Sequence, residues 1–598
     1  MDKVQINQVT PYFSVLMGVN KASFTSEKIH TDIINLISKV IYQDGLVSIY
    51  PSIQEIAGNA HIRATPYLLK KNPSWTTRSD IFDYENHIVV TVLQKKYVAF
   101  YFSEKGLKDT VRDYFKTTYL QGIEAVDIAH LNHLFINEDS IKMIWLLGIH
   151  GKNTIKADSK VLGGKSVIDS LDPLEDQSFM MSAVRTEVNN NKSIGLNPFK
   201  SSIWKGPCKD WETFEKNAID ILDTLNSNNK NNINPISILA SPINDFKNVK
   251  NAYDLSIIDP DILGDSYPKT KLDLLRNIRD NFSFEVMDAT IGKRISLRIY
   301  FENKICGDLT IEPKVKDYEI TFSITEQNPT NGQKEKLNTF SRIFNHSDLI
   351  KCWYDSGHAI VNGWIFITNY RDVAYNKFFW ADFEDYNICQ EKPIEADKVN
   401  LSLIGKQKSL FCWIKNRWNS KWDSDTPFNT TEKPTGWLYC DDGAGEKADF
   451  IHIDVFKKYT TLTLIHVKAA KSSSRTRRIS VGAHDVVLSQ AVKNLRYANR
   501  KNLLHDLKER AENSQNKKCW NNDKEITSSE FIKRLGKIKN SSNNVRVRVV
   551  VIQPHTQKSV YESLNTSNIK KQLDVLLVST DNAIKSSGAE FYIIGHHD

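Results

Sequence analysis

The sequence predicts a mixed α/β fold for its C-terminal part, preceded by an α+β N-terminal part and a β-rich middle part. After residue 405, apolar patterns follow the order helix, three strands, helix, strand. Residues 235–400 contain strand-like runs such as ISLRIYF and YEITFSI, whereas residues 1–225 mix runs such as HIVVTVL with helical patterns. Because 598 residues exceed what one core usually organises, we predict three domains, at 1–225, 235–400 and 405–598.

The C-terminal part shows the clearest succession of elements. LFCWIKNRW predicts a helix, and GWLYC, DFIHID and TLTLIHVKA predict three strands. In HDVVLSQAVKNLRYANRKNLLHDLKERA, Val486, Ala491 and Leu495 recur at roughly helical spacing, which predicts one long helix. VRVRVVVIQP and EFYIIG predict two further strands, with a helix between them. We therefore expect a mixed sheet flanked by helices on both faces.

Composition and cysteine usage are typical of a soluble protein in a reducing compartment. The seven cysteines form no CxxC pair, so neither a zinc site nor a disulfide framework is indicated. The start, MDKVQINQVT, lacks the basic and apolar regions of a secretory signal. The apolar run MIWLLGI is too short to cross a bilayer. We expect a cytoplasmic protein that makes no use of a membrane.

Positive charge is concentrated in one segment of the chain. The net charge is +8, but residues 456–540 hold 20 Lys and Arg against 7 Asp and Glu, a local balance of +13 that leaves −5 for the remainder. Such asymmetry indicates a polyanionic partner for that segment. A solvated, lysine-rich helical face produces the same pattern and stays open as the alternative.

Two consecutive predicted strands place an acid near a histidine and a lysine. In a strand, residues i and i+2 share a face, so His466 and Lys468 are expected to project together while Val467 faces the other way. Asp449 starts the preceding strand, and pairing of the two strands would bring its carboxylate beside them. Metal-dependent hydrolysis of a phosphodiester needs a carboxylate, a second ligand and a lysine in this arrangement.

This pattern resembles the PD-(D/E)xK restriction-endonuclease-like nuclease superfamily. Its parts are Asp449, the triplet His466-Val467-Lys468 on the next strand, and Gln490 on the following helix. The resemblance covers roughly residues 437–495 and, more loosely, the whole C-terminal domain. It implies a restriction-endonuclease-like fold there, with Asp449 as a metal-binding acid and Lys468 as the catalytic lysine. It further implies Mg²⁺ or Mn²⁺ as cofactor, and a Gln490 that orients substrate or water.

One position departs from the superfamily pattern. His466 stands where that pattern has Asp or Glu, and an imidazole carries no negative charge and suits softer ions than Mg²⁺. Either His466 is itself a metal ligand, or an acid reaches the site from elsewhere. Glu446, one turn before Asp449, is the first candidate for that acid and Asp442 is the next. The departure also leaves room for a domain that binds nucleic acid without cutting it.

Basic residues follow the candidate site directly. The loop KSSSRTRR is suited to phosphate contact through Arg475, Arg477 and Arg478, and Lys493 lies one turn after Gln490 on the next predicted helix. We expect these four side chains to hold phosphates that flank the reacting one.

The sequence therefore predicts a metal-dependent nuclease, and the resemblance suggests bacterial anti-phage defence or restriction by analogy. DNA is favoured over RNA because the superfamily mostly cuts DNA. The alternative is a catalytically impaired, nucleic-acid-binding scaffold subunit that acts with a separate helicase or ATPase. A motor within this chain is not indicated, because SKVLGGKS has Ser159 where a phosphate loop needs glycine. Pairing of two copies stays open, since nucleases of this kind that cut both strands often pair.

Overall fold

A computed structural model of the chain divides into two compact units. Unit 1 comprises Met1–Leu147, Ser159–Leu171 and Met181–Ser237, and unit 2 comprises Gly148–Asp158, Asp172–Met180 and Ile238–Asp598. Most of residues 226–235, at the boundary between the first two predicted domains, lies outside the described residues. The structure describes residues 5–78, 80–151, 157–172, 175–188, 192–227, 236–263, 267–287, 292–302, 304–330, 332–370, 374–396, 398–419, 433–443, 445–512, 518–540, 544–564 and 567–598.

Unit 1 is organised around one large sheet, which has twelve strands within the described ranges. Neighbouring strands are antiparallel wherever their register is described, and the order is β2-β4-β5-β6-β1-β12-β11-β10-β8-β9, with β3 beside β4 and β7 beside β1. The strands are β1 (Tyr12–Asn20), β2 (Leu46–Ile49), β3 (Ile53–Ala57), β4 (Ala60–Lys71), β5 (Asp83–Gln94), β6 (Tyr97–Phe102), β7 (Ile123–Ala125), β8 (Ile141–Gly148), β9 (Ser159–Gly163), β10 (Phe179–Val188), β11 (Lys192–Asn197) and β12 (Ser202–Pro207).

Helices of unit 1 cover this sheet with amphipathic faces. Helix α1 begins after Thr25, whose hydroxyl accepts the Lys28 N–H at 3.2 Å, and it buries Ile29 and Ile33 in the sheet core. These residues recur at helical spacing, which is why the segment folds as a helix against a sheet. The helices are α1 (Ser26–Leu36), α2 (Leu107–Asp113), α3 (Ile128–Phe135) and α4 (Trp211–Asn226).

Unit 2 contains a first sheet of nine described strands, in the order β14-β19-β20-β21-β18-β17-β16-β15 with β13 beside β21. Helices α5 (Lys269–Asn281) and α6 (Lys334–Ser341) pack on it through Leu272, Leu275 and Leu337. The strands are β13 (Ser241–Pro242), β14 (Ala252–Ile257), β15 (Phe282–Val286), β16 (Ile295–Phe301), β17 (Lys304–Lys316), β18 (Glu319–Gln327), β19 (Ile350–Tyr354), β20 (His358–Val361) and β21 (Trp364–Ile367).

The second sheet of unit 2 is mixed and has eight described strands, in the order β22-β31-β30-β27-β26-β25-β28-β29. β25, β26 and β27 are antiparallel neighbours, whereas β27, β30, β31 and β22 are parallel. The remaining elements are β22 (Phe378–Ala381), the hairpin β23 (Ile394–Glu395) and β24 (Lys398–Val399), α7 (Leu410–Arg417), β25 (Trp437–Cys440), β26 (Phe450–Val455), β27 (Thr460–Val467), α8 (Val481–Lys493), α9 (Arg500–Glu512), β28 (Cys519–Asn521), β29 (Lys524–Ile526), α10 (Ser528–Asn540), β30 (Val545–Gln557), α11 (Lys558–Ser563), α12 (Asn568–Ser586) and β31 (Glu590–His596).

Both faces of the mixed sheet carry helices, and the mixed α/β class predicted from sequence is confirmed. On one face, Trp413 of α7 shares a core with Ile465 and Val467 of β27. On the other face, Leu503 of α9 shares a core with Leu464. This alternation along β27 follows from the period of two in a strand.

The prediction of one long helix between residues 484 and 511 is wrong, because two helices occupy this range. Helix α8 ends at Lys493, a 3₁₀ turn covers Asn494–Ala498, and α9 begins at Arg500. Asn499 precedes α9 and its side-chain oxygen accepts the Lys501 N–H at 3.1 Å, so an asparagine inside the apolar period starts a new helix. After the break, Leu503 of α9 packs in the core around Leu464.

Within unit 2, Asp254 of β14 joins the two sheets. Its carboxylate accepts hydrogen bonds from the Ser480 hydroxyl (2.8 Å) and the Gly482 N–H (2.6 Å) at the start of α8, and from the Lys471 ammonium (2.9 Å). The side chain is buried, and its charge lies at the positive end of the α8 dipole. Charge-assisted bonds of this kind hold the middle and C-terminal sequence regions together.

We expect Asp254→Ala to lower the free energy of unfolding by about 3 kcal/mol, because a half-buried ammonium and two helix-start donors lose a buried acceptor. Urea denaturation at neutral pH measures the change. The control is Asp273→Ala, which removes a carboxylate from an exposed pair with Arg276 and should shift stability by less than about 0.5 kcal/mol. Equal midpoints for the two variants would contradict this account of Asp254.

Candidate metal centre

Three carboxylates converge where β26 begins. Asp442, Glu446 and Asp449 each offer an oxygen, and these oxygens lie within 4.8 Å of one another. Across the described part of the chain, this is the only group of three or more His, Cys, Asp or Glu residues that meets that distance. Carboxylate oxygens are the ligands that hard divalent cations prefer.

Strand pairing positions Asp449. Phe450 pairs with Ile465 in the antiparallel β26–β27 ladder, so Asp449 lies at the point where β27 ends. Its Oδ2 accepts the Val467 N–H at 2.9 Å, which ties the carboxylate to the last residue of β27. The hairpin expected from the sequence therefore forms, with the acid at its open end.

A glycine turn brings the other two acids to Asp449. Gly443 has φ +122°, a conformation that favours glycine, and its N–H donates to Glu446 Oε2 at 3.1 Å. Behind the turn, the buried carboxylate of Asp441 accepts from Arg510 Nε (2.9 Å) and from the Lys447 N–H (2.8 Å). The turn is thus anchored to α9, which limits how far the acids can move apart.

Two lysines and a further acid adjoin the carboxylates. Lys392 Nζ lies 2.5 Å from Asp442 Oδ1 and 3.4 Å from Glu391 Oε1. The other oxygen of Glu391 lies 3.1 Å from Lys468 Nζ. Glu391 therefore bridges two ammonium groups, and the Lys468 side chain keeps 40% of its surface exposed. Of the two lysines, Lys468 is the more exposed.

Two acids of the cluster, Asp449 and Glu446, are held away from their ordinary ionisation. Burial, reinforced by the charges of Glu446 and Glu391, raises the pKa of Asp449 well above its usual range. Burial also raises the pKa of Glu446 to about 7, although the Lys392 ammonium acts in the opposite direction. Clustered carboxylates repel one another, so a bound cation would lower the free energy of their charged forms.

The bridging groups stay charged. Burial works against ionisation of Glu391, but the ammonium groups of Lys468 and Lys392 hold its pKa below the usual value. Glu391 in turn raises the pKa of Lys468, to which Asp449 adds a smaller contribution. Burial lowers the pKa of Lys392, but Glu391 and Asp442 overcome it and hold that pKa well above its ordinary value. At neutral pH the site offers two fixed positive charges beside oxygen ligands.

The donor set fits Mg²⁺ or Mn²⁺. It consists of carboxylate oxygens, which suit hard ions. A thiol or imidazole is absent from the group of three, so a soft-metal site is not favoured among the described residues.

No protein-family model, curated protein or solved structure matches this chain. None of the helices described is both long and apolar enough to cross a membrane.

His466 lies apart from the oxygen ligands. Its side chain is 1% exposed, and burial lowers its pKa to about 4, so the imidazole is neutral at physiological pH. Its Nε2 has no hydrogen-bond partner among the described residues. His466 does not belong to the group of atoms within 4.8 Å of one another. The acids proposed as substitutes, Glu446 and Asp442, do belong to it.

Gln490 and Lys493 lie on α8, and Gln490 contacts the first sheet region of unit 2. Its Nε2 donates to Asp259 Oδ2 at 3.0 Å, so the amide is held toward residues 259–262. Lys493 is half-buried near the end of the helix. The structure therefore does not bring the Gln490 amide into a described contact with the carboxylates.

The three arginines of the loop after β27 differ in exposure. Arg475 and Arg478 are exposed, whereas Arg477 is 6% exposed. The Arg477 guanidinium donates to the backbone carbonyls of His555 (2.8 Å) and Pro554 (2.9 Å), among others. Since its donors face the protein interior, Arg477 holds the loop in place, and contact with a phosphate is left to Arg475 and Arg478.

Sequence reasoning missed Glu391 and Lys392. They lie about fifty residues before the glycine turn, within a range assigned to the middle domain, and QEKP carries no periodic or motif signal. Neighbouring β22, also in that range, is a parallel partner of β31 in the mixed sheet. Parallel pairing between distant segments leaves no local mark in the sequence.

The raised pKa of Glu446 leads to a pH-dependent stability. An acid whose folded-state pKa of about 7 exceeds its ordinary value of 4.5 binds more protons when folded, so metal-free protein should lose stability as pH rises from 4.5 through 7. We expect Glu446→Gln to stabilise the metal-free protein at pH 8 by about 1–3 kcal/mol and to flatten this pH dependence.

Thermal unfolding in chelator at pH 6 and pH 8 measures the effect, and addition of Mn²⁺ should stabilise the wild type more than the variant. Glu525→Gln is the control, because Glu525 is an exposed partner of Lys518. An unchanged melting temperature for Glu446→Gln at pH 8 would show that ionised Glu446 does not destabilise the folded state.

Proposed function

We propose that the chain is a metal-dependent nuclease that hydrolyses phosphodiester bonds of DNA, and that its C-terminal part has a restriction-endonuclease-like fold. The observation that carries the proposal is the convergence of Asp442, Glu446 and Asp449 at the end of β27, where Glu391 links their lysine neighbour Lys392 to Lys468. Metal-assisted hydrolysis of phosphodiesters uses acids and an ammonium group arranged in this way.

The order of elements supports the fold assignment. The acid precedes β26, the lysine follows β27, and a helix and a strand parallel to β27 come next. The superfamily pattern has the same succession of an acid, then a lysine on the next strand, then a helix. In this proposal, Glu446 and Asp442, whose carboxylates lie close to that of Asp449, would take the place of the acid missing at position 466.

The cofactor would be held by Asp442, Glu446 and Asp449. When bound there, Mg²⁺ or Mn²⁺ would polarise the scissile phosphate and lower the pKa of water. Burial, reinforced by its acidic neighbours, raises the pKa of Asp449, and this positive charge would favour its carboxylate form.

Lys468 is the group that would meet the substrate. Its ammonium is partly exposed, and it lies beside Glu391 at 3.1 Å, which restrains where the charge can move. There it would stabilise negative charge that grows on the phosphate oxygens during attack by water. Glu391 positions both lysines and is not required to touch the substrate.

Exposed basic residues beside the site would hold the flanking backbone. Arg475 and Arg478 lie in the loop that follows β27, and the surrounding residues 456–540 carry a local charge of +13. Cations of this kind bind nucleic-acid phosphates without regard to sequence. DNA remains the favoured substrate on the strength of the superfamily resemblance.

The test is incubation of the purified chain with end-labelled duplex DNA, single-stranded DNA and RNA, each with Mg²⁺, Mn²⁺ or chelator. We expect DNA cleavage with either ion and none in chelator. Cutting that persists in chelator, or RNA cutting without DNA cutting, would overturn the proposal as stated.

A second candidate is a subunit that binds nucleic acid without cutting it and works beside a separate motor protein. Two observations favour it: the Lys392 ammonium already lies 2.5 Å from Asp442, and the position of the usual second acid is occupied by the neutral His466. Retention of labelled DNA with no cleavage in any metal would favour this candidate.

A further inference from the structure

A second feature of unit 2 has the chemistry of a phosphate site. An open depression of about 770 Å³ lies where β30 begins, between the start of α9 and the turn before β31. Its lining includes Arg496, Arg500 and Lys501, with the amides of Asn499 and Asn502, and no acidic residue is among the described residues that line it. A concave surface with three cations and no anion attracts polyanions.

The cations of the depression are held in defined places. Arg496 is exposed, and its guanidinium lies 4.9 Å from the centre of the Tyr497 ring. Arg500 donates to the Ile538 carbonyl at 3.0 Å, which orients the start of α9. Lys501 is exposed, and helix α9 begins within the lining, so its positive dipole end adds to the side-chain charge.

The depression lies at the opposite end of the strands from the carboxylates. Its residues Val545 and Val547 pair with Thr460 and Leu462 at the start of β27, whereas Lys468 follows the last residue of that strand. Six residues from Leu462 to Lys468, at ~3.3 Å each, place the two sites about 20 Å apart along the strand. That separation corresponds to about 6 base pairs of duplex at ~3.4 Å each.

We infer that this depression is a second binding site for backbone phosphates, which holds the nucleic acid about six base pairs from the position where the carboxylates would cut it. The inference rests on the proposed function, because the ligand is the same nucleic acid. It adds that Arg496 and Lys501 determine affinity and are not part of the cleavage chemistry.

Binding of a fluorescein-labelled duplex of about 24 base pairs, measured by anisotropy in chelator over a series of salt concentrations, tests the inference. The variant is Arg496→Gln with Lys501→Gln, which removes two exposed charges and keeps polar side chains. The matched control is Lys314→Gln with Lys316→Gln, two exposed lysines of β17 in the other sheet of unit 2. Thermal unfolding of both variants checks that folding is retained.

We expect about a tenfold loss of affinity for the Arg496/Lys501 variant at low salt, with the slope of log K against log salt reduced by about two. The control should bind like the wild type. Equal affinities and slopes for the two variants would overturn the inference. It would also be overturned if the Arg496/Lys501 variant bound the duplex like the wild type and lost only the binding of a labelled free nucleotide. Because no metal is present, duplex binding that requires Arg496 and Lys501 supports the inference even if the chain never cuts.

Discussion

Asp449→Asn is expected to reduce metal-dependent cleavage by at least about 10³-fold, because an amide supplies one neutral oxygen where the metal centre needs a charged ligand. The change keeps the shape of the side chain and an oxygen that can accept the Val467 N–H. It also removes an acid whose pKa is raised well above the usual range, mainly by burial, so the folded state should lose no stability. Initial cleavage rates on duplex DNA in Mn²⁺ measure the effect.

The same variant should lose most of the stabilisation that Mn²⁺ confers on thermal unfolding, since one of the three converging carboxylates is gone. Asp523→Asn is the matched control, because Asp523 is a half-exposed acid paired with Lys415 in the same unit. If the Asp449→Asn variant cleaved DNA at the wild-type rate, Asp449 would not be a ligand of the catalytic metal.

Lys468→Ala is expected to lower the cleavage rate by about 10²-fold or more while metal binding is retained. The ammonium that would stabilise charge on the phosphate is lost, and such groups typically lower the activation barrier by about 3 kcal/mol. Glu391 keeps Lys392 as a partner at 3.4 Å, so it is not left without a counter-charge and folding should survive. Single-turnover rates, together with Mn²⁺-dependent shifts in melting temperature, measure the two properties separately.

The control for this variant is Lys316→Ala, which removes an exposed lysine of β17 in the other sheet of unit 2. The pair of site variants then separates two roles: Asp449→Asn should lose cleavage and the metal response together, and Lys468→Ala should lose cleavage alone. Loss of the metal response in Lys468→Ala would mean that the lysine acts through the acids and not on the substrate.

Part of this site was predictable because it is local in sequence. The β26–β27 hairpin pairs adjacent segments with strong alternating patterns, so Asp449 and the end of β27 had to meet at one edge. Glu446 and Asp442 lie three and seven residues before Asp449, and a glycine turn between acids is a local signal as well. The mixed α/β class followed from the same kind of periodicity.

The rest required contacts between distant segments. Glu391 bridges the two lysines from a region assigned to another domain, and Gln490 donates its amide to Asp259. The sequence suggests Arg477 as a phosphate ligand, yet its guanidinium donates hydrogen bonds to the backbone carbonyls of residues 554 and 555. Side-chain type alone does not reveal which partners a fold brings near.

The sequence by itself determined the β26–β27 hairpin, the acids of the glycine turn before β26 and the lysine after β27. Short-range pairing and side-chain alternation decide those positions. Only the tertiary structure decided that Glu391 and Lys392 complete the charge balance, that His466 is set apart and neutral, and that a basic depression lies at the other end of the strands. These outcomes depend on burial and on Coulomb interactions between residues far apart in the chain, which no local pattern records.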